Sequence, residues 1–160
     1  EARRATASEL APSLEASAAA LGLADASISY DGEAVSREVY DERLAKDLER
    51  GLTGAGPHLH DVRVEAGARD VRSFGSQGEQ RVAVLALVLA EADALGEQSG
   101  TRPLVLLDDV LSELDEERRR ALAELISSGG QIVVTATAPS ALPIEPAQSL
   151  VVSSGEVRSA

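Results

Sequence analysis

The stretch Pro103 to Asp115, PLVLLDDVLSELD, constrains the fold more than any other in this chain. Its four apolar residues, Leu104 to Leu107, are too few for a typical helix, and Ser99, Gly100 and Pro103 supply turn chemistry ahead of them. A short unbroken apolar run bounded this way predicts a strand buried on both faces, as in a parallel sheet. Two adjacent carboxylates, Asp108 and Asp109, close the run. Buried side by side without partners, they would be costly. Open parallel sheets bind ligands beyond the carboxyl ends of their strands. A cation there, above all magnesium on a nucleotide, removes the conflict.

The 160 residues suffice for one compact domain, or one domain and part of another. The chain is 44% hydrophobic but only 2% aromatic, so its core is expected to be Leu, Val, Ile and Ala. It contains no cysteine, which excludes disulfides and thiolate metal sites and fits a reducing, cytoplasmic setting. No apolar run reaches the roughly 18 residues of a membrane span, and no apolar segment follows the N-terminal charges as in a signal peptide. A formal charge of −12 argues against a surface coated with nucleic-acid-binding charge, although a local basic patch remains compatible with it. Nor is there any methionine, even at position 1, so the chain is expected to be the C-terminal part of a longer protein.

Taken in order, residues 4 to 21 carry Leu10, Leu14, Ala18 and Leu21 at helical spacing and predict an amphipathic helix ending near Gly22. Ala26 to Tyr30 alternates as a strand closed by the turn pair Asp31-Gly32. Ser36 is placed to cap a second helix over 36–50, with Val39, Tyr40, Leu44 and Leu48 as its apolar stripe. The Gly- and Pro-rich stretch Gly51 to Asp61 reads as a connection. A loop with solvated histidines is its plain reading; a metal site on His58, His60 and Asp61 has no further ligand to support it. Asp61 to Ala66 reads as a half-buried strand, with Asp70 to Phe74 returning as its hairpin partner.

Ser76, followed three residues later by Glu79, forms a capping box, so a helix is expected from about Gln77. Its continuation, VAVLALVLAEADAL, is apolar nearly all round and predicts deep burial. Past the central strand, Asp115 is placed to cap a helix over 116–127, in which Arg118, Arg119 and Arg120 face several directions and are expected to be mostly solvated. Gln131 to Ala136 reads as another buried strand, and Pro139, Pro143 and Pro146 break the chain after it. Leu150 to Ser153 and Gly155 to Arg158 form a terminal hairpin. Strand, helix and strand in alternation give an α/β class.

Two motifs in this order carry a resemblance. SQGEQR at Ser76 to Arg81 resembles the signature motif of ABC-type ATPases in the form used by the RecF family, and LLDDVLSELD at Leu106 to Asp115 resembles the Walker B strand and D-loop of that family. TGAGPHLHD at Thr53 to Asp61 resembles a further RecF-family segment, with Leu59-His60 in place of part of it. No G-x-x-x-x-G-K-[ST] phosphate loop occurs in the chain. Where transporters of this class carry a switch histidine after the second strand, this chain has Thr135 and Thr137.

The resemblance implies an α/β fold, the C-terminal part of an ABC/SMC-type P-loop ATPase head that lacks the P-loop. It implies residues 1–58 as the end of a helical arm domain and 59–160 as the head portion. Asp108 would hold Mg2+ on ATP. Asp109, where the superfamily usually has Glu, would polarise the attacking water, and its shorter side chain implies slow hydrolysis. Ser76 and the amides near Gly78 would contact the γ-phosphate of a nucleotide held by a second subunit, with Gln77 and Gln80 as weaker candidates. Asp115 would cap its helix and lie at the dimer interface. The implied partners are DNA at gaps or single-strand/duplex junctions, a second copy in an ATP-dependent homodimer, the mediators RecR and RecO and, indirectly, RecA; no membrane is implied. Arg37, Arg43, Lys46 and Arg50 are candidate phosphate contacts, against the plainer reading of a solvated helix face. Two alternatives stay open: another SMC- or ABC-type ATPase, and a degenerate module that only binds other proteins.

Overall fold

The computed structural model describes residues 1–127, 129–138 and 141–160, and the chain divides into two compact units, Glu1–Pro103 and Leu104–Ala160. Pro139, one of the three expected chain breakers, lies outside the described residues.

In the first unit, α1 (Ala2–Ala20) packs against a strand, β1 (Ala26–Asp31), and against a long helix, α4 (Gln77–Ser99). Ala7, Leu14, Ser17, Ala18 and Leu21 are buried on one side of α1, which is the expected stripe with Ala7 and Ser17 added and Leu10 only half-buried. Its polar edge is stitched to α4 by Ser13 donating to Asp93 at 2.7 Å and Gln98 donating to Glu9 at 2.8 Å.

β1 pairs antiparallel with β2 (Asp61–Ala66) from Ala26↔Ala66 to Asp31↔Asp61, so Asp31 continues the strand instead of opening a turn. Gly32 then passes directly over the His60 ring, where a Cβ would lie 2.4 Å from ring atoms. This pairing crosses the expected division at 58/59, which falls inside the first unit and would cut a sheet there.

Three expectations about this unit change. The strand returning from β2 is only β3 (Arg69–Asp70). Asp70 accepts from the Arg72 amide at 3.1 Å and from the Ser73 hydroxyl at 2.6 Å, and so starts a one-turn helix, α3 (Val71–Phe74), in place of more strand. Secondly, α4 is not buried all round. Val82, Ala83, Leu85, Ala86, Leu89 and Ala90 are covered, whereas Val84 is 63% exposed and Val88 and Leu95 are also exposed, since the stripe facing α1 is only part of the circumference. Thirdly, α2 (Arg37–Arg50) forms with Ser36 as N-cap residue but buries nothing, and its whole stripe of Val39, Tyr40, Leu44 and Leu48 faces outward.

In the second unit, β4 (Val105–Leu107) pairs in parallel with β5 (Ile132–Val134), with Leu107 opposite Val134. They are joined through α5 (Glu116–Ile126), the crossover that a parallel pair requires. β4 is not buried on both faces: Val105 and Leu107 are buried, while Leu106 is 67% exposed and its partner Val133 is exposed on the same face. A two-stranded sheet covered on one side leaves every second side chain outside. On α5, Leu122, Ala123 and Ile126 are buried. Arg118 and Arg119 are half-buried rather than solvated, and only Arg120 is exposed, paired with Glu116. The terminal hairpin of β6 (Leu150–Ser153) and β7 (Glu156–Ser159) forms as expected, turning through Ser154 and Gly155, both at positive φ.

Candidate functional site

The second unit carries the acidic pair. Because β4 and β5 run parallel, the residues that follow them leave the sheet at the same end. The Thr135 amide donates to the Leu107 carbonyl at 2.9 Å, extending the ladder one step beyond β5. Its hydroxyl then donates to Asp108 Oδ1 at 2.5 Å and accepts from the Asp109 amide at 2.9 Å. Both acids are exposed. Asp108 therefore has one oxygen oriented by Thr135 and the other without a partner among the described residues, an arrangement that fits a hard cation taking one or two carboxylate ligands. The Asp109 carboxylate has no hydrogen bond or ion pair to any described residue.

Asp109 adopts φ 49° and ψ 24°, a left-handed conformation. That costs about 1–2 kcal/mol for most residues and least for Asp and Asn. Ser112 offsets the cost by donating to the Asp109 carbonyl from its hydroxyl at 2.8 Å and from its amide at 3.3 Å. A 3-10 turn over Val110–Glu113 follows, anchored by the buried Leu111 and Leu114. Asp115 then caps α5, accepting from the Arg118 amide at 2.9 Å and from its guanidinium at 3.1 Å. Both Asp115 oxygens thus serve the helix start.

The first unit carries the signature stretch. Gly75 precedes it, and a Cβ at Gly75 would lie 2.5 Å from the Val71 carbonyl oxygen, so only glycine lets α3 turn this tightly into Ser76. The capping box is complete: the Ser76 hydroxyl accepts from the Glu79 amide at 3.2 Å, and the Ser76 amide donates to Glu79 Oε2 at 2.7 Å. This interaction, first through the Ser76 amide and then through its hydroxyl, holds the Glu79 carboxyl below its ordinary range. The Gln80 amide already bonds the Ser76 carbonyl at 2.9 Å. The amides of Gln77 and Gly78 remain without partners among the described residues, at the positive end of a 23-residue helix. Ser76 and Gln77 are exposed, and the Ser76 hydroxyl is an acceptor within the cap.

Gln80 differs from the expectation. Its side-chain nitrogen donates to the Arg72 carbonyl at 3.1 Å and to the Gly75 carbonyl at 3.2 Å. Both side-chain protons are therefore committed to holding the loop, and only an acceptor oxygen is left, which does not suit an anion. No metal-ligand cluster forms at the histidines: His58 bonds the Thr53 carbonyl and His60 the Tyr30 hydroxyl, each at 2.8 Å, and no group of three ligand side chains occurs among the described residues. What sequence reasoning missed is the part played by Thr135 and Ser112. The signals for Thr135 were its place one residue beyond an apolar strand that could pair with the first and its match to the position of the transporters' switch histidine.

The fold defines a class: an α/β chain that matches the C-terminal part of an ABC/SMC-type ATPase head. The chain is 42% identical over 153 residues to the DNA replication and repair protein RecF of Myxococcus xanthus (strain DK1622), covering 84% of this chain and 40% of that protein. It is 46% identical over 101 residues to the RecF of Bacillus subtilis (strain 168), covering 63% of this chain and 27% of that protein. By backbone it matches a solved structure of the recombination mediator protein RecF-ATP in the RecFOR pathway, with TM-score 0.72, 26% identity, and coverage of 99% of this chain and 45% of that one. A structure concerning the ATP-driven dimerization and DNA-stimulated activation of SMC ATPases shares the fold, at TM-score 0.56 and 15% identity, covering 99% of this chain and 86% of that one. No family model matches. The chain belongs to the RecF family as a C-terminal portion, spanning less than half the length of these RecF relatives.

Proposed function

We propose that the chain is the part of a DNA replication and repair ATPase that supplies the magnesium-side acids of its own nucleotide site and the signature contact to a partner's. The observation that carries this reading is the exposed acidic pair at the end of β4, one carboxylate half-tied by Thr135 from the end of the parallel strand β5 and the other without a partner among the described residues. The RecF relatives support the setting.

When bound, magnesium would neutralise charge on the β- and γ-phosphates of ATP. Asp108 would hold it through the oxygen Thr135 leaves open. Asp109 would orient a water and take its proton, slowly, because its carboxylate is one methylene short of the usual glutamate. Ser76, with the amides of Gln77 and Gly78, would donate to the γ-phosphate held by a second copy. Gln80 would act only by fixing the loop, and Asp115 would support the interface from its cap. ATP would thereby favour a homodimer with higher affinity for DNA at gaps or junctions, working with RecR and RecO to favour RecA loading. α2 is a poor DNA contact, because it carries five acidic residues against four basic ones and Arg37 is paired with Asp41.

The test uses the longer protein that contains this chain. Sedimentation with and without ATP should show a monomer becoming a dimer, with gapped DNA retained only in the second state. If ATP changes neither association nor DNA retention, the reading is wrong.

A further inference from the structure

We propose that Thr135 is a positioning residue that aligns the two strand-end acids, Asp108 through its carboxylate and Asp109 through its backbone. The inference rests on the nucleotide-site reading above and extends it to a residue outside both motifs.

A threonine hydroxyl has one proton to give and lone pairs to accept with. An ionised carboxylate only accepts and a backbone amide only donates, so the direction of the two bonds at Thr135 is fixed: Asp109 amide to Thr135 hydroxyl to Asp108 Oδ1. Bonds chained in this sense strengthen one another. The Thr135 amide is itself anchored on Leu107, the last residue of β4, so the hydroxyl is held against the strand whose end it organises. Its β-branch restricts χ1, leaving the hydroxyl few other directions.

The consequence differs for the two acids. At Asp108 one oxygen is held by Thr135, which leaves the other as a single ligand on an exposed residue. At Asp109 the bond is to the main chain. Together with Ser112 it pins the left-handed turn that carries the free carboxylate. A residue that bonded Asp108 alone would leave Asp109 free to swing. Thr135 couples both, and makes β5 part of the site.

Two variants separate this from a packing role. Thr135→Val keeps the shape and removes the hydroxyl; Thr135→Ser keeps the hydroxyl and removes the methyl. On the full 160-residue chain, Asp109 amide exchange should speed by about tenfold in Thr135→Val, as expected for loss of a bond in a charge-linked chain. Mn2+ alone, titrated as the probe and followed by paramagnetic broadening of residues 108–112, should bind about tenfold more weakly in Thr135→Val. Thr135→Ser should recover most of both effects, and the amides of β6 and β7 should be unchanged throughout. Equal Asp109 exchange in wild type and Thr135→Val overturns the positioning role, as does Mn2+ broadening that is present and equally strong in both, or failure of Thr135→Ser to rescue. If wild type gives no broadening at these residues but the exchange effect is present, the metal reading of the acids fails while the backbone latch stands.

Discussion

The start of α4 and the end of β4 are the two places where this chain presents chemistry, and they are built in opposite ways. At α4 the polar groups satisfy one another: Ser76 and Glu79 bond reciprocally, and Gln80 ties the loop behind them. At β4 a carboxylate stands without a partner among the described residues and a strained residue is held by two hydroxyls. The first arrangement stabilises the fold whether or not a nucleotide is near. The second contributes little to folding, and its groups gain from a cation. Substitutions at α4 should therefore change both stability and function, and those at the β4 carboxylates function alone.

The strongest test of that contrast is Asp108→Asn in the longer protein. It should lower Mg2+-dependent ATP turnover by roughly 100-fold, because a neutral amide replaces a first ligand; the measurement is steady-state phosphate release. Next, Ser76→Arg should weaken ATP-dependent dimerisation by at least about tenfold, like a bulky mismatched charge at an interface, while nucleotide binding to the monomer persists in equilibrium titration. Dimerisation at wild-type levels would remove Ser76 from the interface.

Stability sharpens the comparison further. Ser76→Ala should cost about 1 kcal/mol in chemical denaturation, the usual loss for an N-cap. Asp109→Asn should stay within about 0.5 kcal/mol, as for surface changes away from structural features. The reverse ranking would break the contrast. The smallest effect concerns acid. The Glu79 carboxyl is depressed in the folded chain, so its contribution is complete above the unfolded value and is lost as pH falls through the folded one. Amide exchange at Ser76, Glu79 and Gln80 should rise only below the ordinary glutamate range, and Glu79→Gln should abolish that dependence.

The DNA-contact candidates show where sequence reasoning met its limit. Basic residues at helical spacing on α2 are visible in the sequence, and so are the acids between them. What was not visible is that the apolar stripe beside them would lie uncovered. The same holds for Leu106 in β4 and Val84 in α4, both apolar by sequence and both exposed.

The sequence by itself determined the local devices: the Ser76 and Asp115 caps, the strand carrying Asp108 and Asp109, and the closing hairpin. Each depends on groups a few residues apart, within reach of one turn of backbone. Only the tertiary structure decided that β1 pairs with β2 across a helix, that Asp70 starts a helix instead of extending a strand, and that Thr135 joins the two acids. Strand pairing and burial are set by neighbours distant in the chain, and a hydroxyl 27 residues away from Asp108 declares its role only when parallel register sets it alongside.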